Sequence, residues 1–244
     1  MDQTEDLKNL KNNIAFIAEQ FFFHESYHLQ SILDSMQKYP GLSDSPSRIL
    51  RSHIGIIARK ITQVEKTGNL SPKDCLHIKR DIAPNYCWHI KNGGDFSETA
   101  IDRLLSKYLG SEDVPALSEN HFKDVDLLTE NIVILSEDIY TSPIIKRMKI
   151  RDLFPGGLGE IRNNIVEFGE KLTEWENRCG GSEAYDDRDL DWYLVSESIA
   201  QKYLVKSTLD GKPADIDQIL EEVLPNPLKE EPSITKKKTP TLSM

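Results

Sequence analysis

Six histidines, all at or before residue 121, make the first half of the chain the place to look for chemistry. Two of them stand in His24-Glu25-Ser26-Tyr27-His28, an HExxH spacing. On a helix this puts two imidazoles one turn apart on one face, the arrangement zinc-peptidase helices use with the Glu as general base. Leu7, Leu10, Ile14, Ile17 and Phe21 recur at steps of three and four, and His24 and His28 continue that stripe, so both are expected to face inward. His53 falls on the stripe of Leu50, Ile54 and Ile57 and is expected to do the same. Convergence of His24, His28 and His53 would give a bundle-type site for a single transition-metal ion, with Glu25 and His28 supplying one Glu-x-x-His unit. No strand signal lies among the 23 residues ahead of His24, where zinc peptidases carry a sheet. A bundle site is therefore the better metal reading, and hydrogen-bonded core histidines are the plain alternative.

A short repeat sets Cys75-Leu76-His77 against Cys87-Trp88-His89. Four soft ligands suit zinc. On a helix, however, residues two apart point to roughly opposite sides, so only an extended backbone around Pro84 would let a Cys and its neighbouring His reach one ion. Arg48 and His53 form an R-x4-H pair. In this the chain resembles the small all-α ribonucleases of the HEPN type. The resemblance implies that Arg48 binds phosphate and His53 transfers a proton at a dimer interface. With Glu25, these two are the catalytic candidates.

Lys146-Arg147-Met148-Lys149-Ile150-Arg151 is the most basic segment expected to fold, and Phe154-Pro155-Gly156-Gly157-Leu158-Gly159 follows it into a helix. A glycine turn at a helix start offers backbone amides to an anion, here backed by Lys146, Arg147, Lys149 and Arg151. No Gly-Lys-Ser/Thr completes a Walker pattern, and Glu160 is placed to occupy the positive end itself. No Gly-x-Ser-x-Gly nucleophile elbow occurs. Trp175, Tyr185, Trp192 and Tyr193 lie close in sequence to Asp186, Asp187, Asp189 and Asp191. Aromatic anchors ringed by charge suit a protein interface better than a substrate cleft.

The elements that must position these residues read as helices almost throughout. One long helix is expected over about residues 4–38, stopped by Tyr39-Pro40-Gly41. A second ends at Thr67-Gly68. A third starts at Ser71-Pro72, is interrupted by Pro84, and its continuation ends at Gly93-Gly94. Further helices are expected from Ser97 to Gly110, over 122–139, 160–178, 187–208 and 214–224, although Ile132-Val133-Ile134-Leu135 is apolar enough for a buried strand. The fold class is all-α, a multi-helix bundle: a His-rich region over 1–110, an acidic region over 111–224 that can belong to the same domain, and a disordered tail over 225–244.

Composition limits the partners. Forty Asp and Glu against 30 Lys and Arg give a net charge of −10, and the second half carries most of the excess acid. Such a chain repels bulk nucleic acid and anionic membranes. No apolar run approaches the roughly 18 residues of a membrane span, and the opening MDQTEDLKNLKNN is unlike a signal peptide. Three cysteines argue against a disulfide framework, so a cytoplasmic setting with reduced thiols is expected. The leading functional expectation is an interaction or regulatory protein acting through protein–protein contacts. A metal-dependent enzyme or sensor is the first rival, the ribonuclease the second, and no cofactor beyond the single metal ion is implied.

Overall fold

The computed structural model describes residues 3–38, 45–109, 123–147, 150–178, 189–209 and 215–224. Among them every regular element is helical, in the order α1 (Gln3–Glu19), a π-turn (Gln20–His24), α2 (Ser26–Gln37), α3 (Pro46–Thr67), α4 (Pro72–Lys91), α5 (Glu98–Leu109), α6 (Lys123–Thr141), α7 (Pro143–Arg147), α8 (Ile150–Leu153), α9 (Gly157–Arg178), α10 (Asp189–Leu209) and α11 (Ile216–Val223). None of these helices is long and apolar enough to cross a membrane. The expected tail, 225–244, lies outside the described residues.

Local chemistry explains the helix ends. Ser45 and Ser71 each precede a proline at the first helical position, and their hydroxyls accept from the amides of Arg48 at 3.3 Å and Asp74 at 3.2 Å. Gly68 closes α3 with φ of 67°, a left-handed conformation that costs glycine least.

α6 is the axis of the bundle. Leu128, Thr129 and the unbroken run from Asn131 to Ser136 are buried, followed by Ile139 and Tyr140. A helix buried on nearly every side over such a stretch belongs in the middle of a core, and α6 is contacted by α1, α3, α9, α10 and the π-turn. This resolves the helix-or-strand ambiguity at Ile132–Leu135: the run is continuous because neighbours surround it. Two glycines let those neighbours approach. A Cβ on Gly55 of α3 would lie 2.8 Å from Thr129 Cγ2, and one on Gly169 of α9 would lie 2.6 Å from Ile132 Cγ1 and 3.4 Å from the Ile132 backbone nitrogen. The buried apolar cluster extends from Ile14 to Leu220 and draws on both halves of the chain.

Two sequence expectations are corrected. The first long helix is not uniform, because the π-turn lets the Glu25 amide reach back to the Gln20 carbonyl at 3.0 Å. One extra residue in a turn displaces everything beyond it by roughly 100°. The inward set downstream is Leu29, Ile32, Leu33 and Met36, the residues through which the apolar pattern of the sequence continues less regularly, and the two histidines fall outside it. The second correction concerns Pro84, which does not interrupt α4. It sits on the exposed face, where the carbonyl freed by its missing amide can meet water, and the helix runs on to Lys91.

Candidate functional site

The π-turn decides the fate of the HExxH segment. His24 and His28 are rotated out of the stripe and exposed, contrary to their expected inward placement. His24 Nε2 lies 3.6 Å from the buried carboxylate of Glu19, and His28 Nδ1 lies 3.2 Å from Lys91 Nζ on α4. His53 is buried, 6% exposed, and shares a 2.8 Å hydrogen bond with the Tyr86 hydroxyl through Nδ1. Burial depresses its pKa to about 4, so the ring is neutral at pH 7. The three rings thus have three separate sets of partners, and half-buried Glu25 lies close enough to His24 alone among them for its charge to act on that ring. Among the described residues, no three His, Cys, Asp or Glu side chains are grouped to hold a metal ion.

The continuity of α4 separates the Cys-x-His pairs in the same way. Cys75 and Cys87 are buried and His77 is exposed, while His89 Nε2 lies 2.9 Å from the carbonyl of Asp95. Burial pushes the Cys87 thiol up to about 12, which leaves it protonated and unreactive. The R-x4-H pair is divided as well. Five residues along a helix turn the chain by roughly 140°, so Arg48 emerges on the surface while His53 points into the core.

Of the proposed anion-binding residues, Lys146 and Arg147 on α7 and Arg151 on α8 are exposed, and Lys149 lies outside the described residues. The Gly156 amide already donates to the Glu160 carboxylate at 2.8 Å, and Gly157 takes a φ of 65° to begin α9. The turn is self-capped. Trp175 is half-buried. Tyr185 lies outside the described residues, and Trp192 and Tyr193 start α10 with side chains outside them.

Sequence periodicity missed the aromatic side chains that the fold leaves in water. Tyr27 on α2 is 95% exposed and Trp88 on α4 is 65% exposed, on adjacent helices joined by the His28–Lys91 contact. Trp88 ends a row at four-residue spacing, Leu76, Arg80, Pro84 and Trp88, all exposed. Twelve residues of helix make that row about 18 Å long. Its helix stays in place because the opposite face buries Ile78, Ile82, Ala83, Tyr86 and Ile90. The signal was present in the sequence as a Trp on the polar side of an apolar period, since Trp88 falls between the buried Cys87 and Ile90.

The fold also buries a carboxylate that no motif marked. Glu19, 3% exposed, faces Arg162 Nε at 3.5 Å and accepts from the Tyr140 hydroxyl at 3.4 Å. Burial raises its pKa, with Arg162 the chief opposing influence. The Arg162 guanidinium in turn lies over the Phe16 ring, 4.9 Å from its centroid. These are tertiary neighbours from α1, α6 and α9, and they tie the π-turn to the bundle.

Comparison with known proteins places no relative beside this arrangement: no family model, no curated protein and no solved structure matches the chain.

Proposed function

We propose that this protein acts by protein–protein contact, using the outer face of α2 and α4 to bind an acidic segment of a partner. The observation that carries the reading is the exposure of Tyr27 and Trp88. Large aromatics are the side chains most often found at the centres of protein interfaces, and leaving two of them in water on neighbouring helices is costly without such a use. The charge around them sets the partner's chemistry. Arg80 and Lys91 lie on either side of Trp88 at exposed positions of the same helix, two cations beside it on a chain of net charge −10. The cytosolic setting belongs to the same proposal and is supported by the free, buried thiols of Cys75 and Cys87.

The test compares wild type, a Tyr27→Ala/Trp88→Ala double variant and an Arg80→Glu variant as bait in native lysate. A partner retained by wild type is expected to be lost from the double variant and weakened by the charge reversal, with circular dichroism unchanged in both. An identical set of captured proteins from all three baits would overturn the reading.

A further inference from the structure

A cleft of about 260 Å³ lies between α3 and α6. Its α3 wall is built from residues 48, 51, 52, 55 and 59, a spacing that puts them all on one helical face. Gly55 forms the floor, because its missing side chain lets Thr129 of α6 close in. Two of the three arginines are already committed. Arg51 Nε donates to Glu137 at 2.6 Å, and Arg59 is paired with Asp126, which shuts that end of the cleft.

Two charges on the cleft are not committed. Among the described residues the Arg48 guanidinium has no hydrogen-bond or ion-pair partner, and the Glu130 carboxylate on the α6 wall has none either. Ser52, one turn after Arg48, adds an exposed hydroxyl on the same side. One wall is therefore an anion acceptor built from Arg48 and Ser52 beside the fixed Arg51, and the other is a cation acceptor. Arginine forks and a hydroxyl match the several oxygens of a phosphate group. Glu130 repels an extended polyanion but attracts an ammonium. The volume admits a ligand of roughly ten heavy atoms, below the usual range for large cofactors.

We infer that the α3–α6 cleft binds a small amino-phosphate zwitterion, its phosphate held by Arg48 and Ser52 and its ammonium by Glu130. Phosphoethanolamine is the simplest probe of this chemistry, and the same group also occurs as a lipid headgroup.

The experiment is isothermal titration of the full chain at low ionic strength with phosphoethanolamine, ethyl phosphate and ethanolamine. In parallel, the chain is sedimented with phosphatidylcholine vesicles with and without phosphatidylethanolamine. Phosphoethanolamine is expected to bind at least about tenfold more tightly than either fragment, since each charged contact removed costs that much. Arg48→Ala is expected to weaken phosphoethanolamine and ethyl phosphate alike by about tenfold or more, and Glu130→Gln to weaken phosphoethanolamine by a similar factor while leaving ethyl phosphate unchanged. Both positions are exposed, so both variants fold. Binding of the free molecule without the vesicles identifies a soluble ligand. Selective sedimentation with phosphatidylethanolamine identifies the headgroup. No saturable binding in either arm, phosphoethanolamine no tighter than ethyl phosphate, or indifference to both substitutions would overturn the inference.

Discussion

Glu176→Gln should stabilise the protein above neutral pH and leave it nearly unchanged in mild acid. Glu176 is buried on α9 against α6, where one of its oxygens accepts from Asn131 Nδ2 at 2.7 Å and Thr173 Oγ1 accepts from the same amide at 3.0 Å. The other two polar atoms of the pair, Glu176 Oε1 and Asn131 Oδ1, are buried with no hydrogen-bond partner among the described residues. Both are acceptors while the carboxylate is ionised, and a proton on Glu176 turns one of them into a donor. Burial pushes this acid up to about 7 against the pull of the Asn131 hydrogen bond, with the Glu130 charge adding to the rise. Between the ordinary value of 4.5 and about 7, the folded protein keeps a proton that the unfolded chain has released. This group therefore makes stability fall as pH rises through that window and level off above it. At about 1.4 kcal/mol per pH unit, the full loss is about 3 kcal/mol. Glutamine stays neutral throughout and brings an N–H donor of its own. In urea titrations, the variant is expected to match wild type near about pH 5 and exceed it by about 2 to 3 kcal/mol near about pH 9. For a chain of this size the gain appears as a rise in Tm of about 4 to 12 °C at the higher pH. An equal difference at the two pH values would refute the argument, because the carboxyl would then ionise alike in the folded and unfolded states.

His53 works in the opposite direction. Its native pKa of about 4 lies below the ordinary 6.5, so its contribution is complete above 6.5 and is lost as pH falls toward 4. The stability difference between wild type and His53→Gln should accordingly move by about 3 kcal/mol against wild type between pH 7 and pH 4, and a constant difference would show the ring to be solvated. Gly169→Ala should cost about 1 to 3 kcal/mol, read by the same urea titrations, since the new Cβ meets the side chain and backbone of Ile132. A neutral result there would mean that α9 can shift off α6 without loss.

The sequence by itself determined the helices. Ser-Pro starts at Ser45 and Ser71, the glycine stop at Gly68 and the three-four apolar period each act within a turn or two of chain, so they can be read without knowing what packs where. It also placed His53 inward, because α3 is a regular helix whose phase holds from Leu50 to Val64. His24 and His28 came out on the wrong side because a single wide turn at Gln20–His24 resets the phase, and no residue in Gln20-Phe21-Phe22-Phe23-His24 carries a local signal for it. Pro84 departs from its sequence expectation for a related reason: whether the carbonyl freed by a proline faces water is a property of the assembled bundle. The pairing of Glu19 with Arg162, the isolation of Arg48 from His53, and the cleft that both Arg48 and Glu130 line join residues more than 80 positions apart or divide residues five apart. Only the packing of α1, α3 and α9 around α6 decided those, because distance in space between side chains on different helices is fixed by which faces are buried together and not by the local chain.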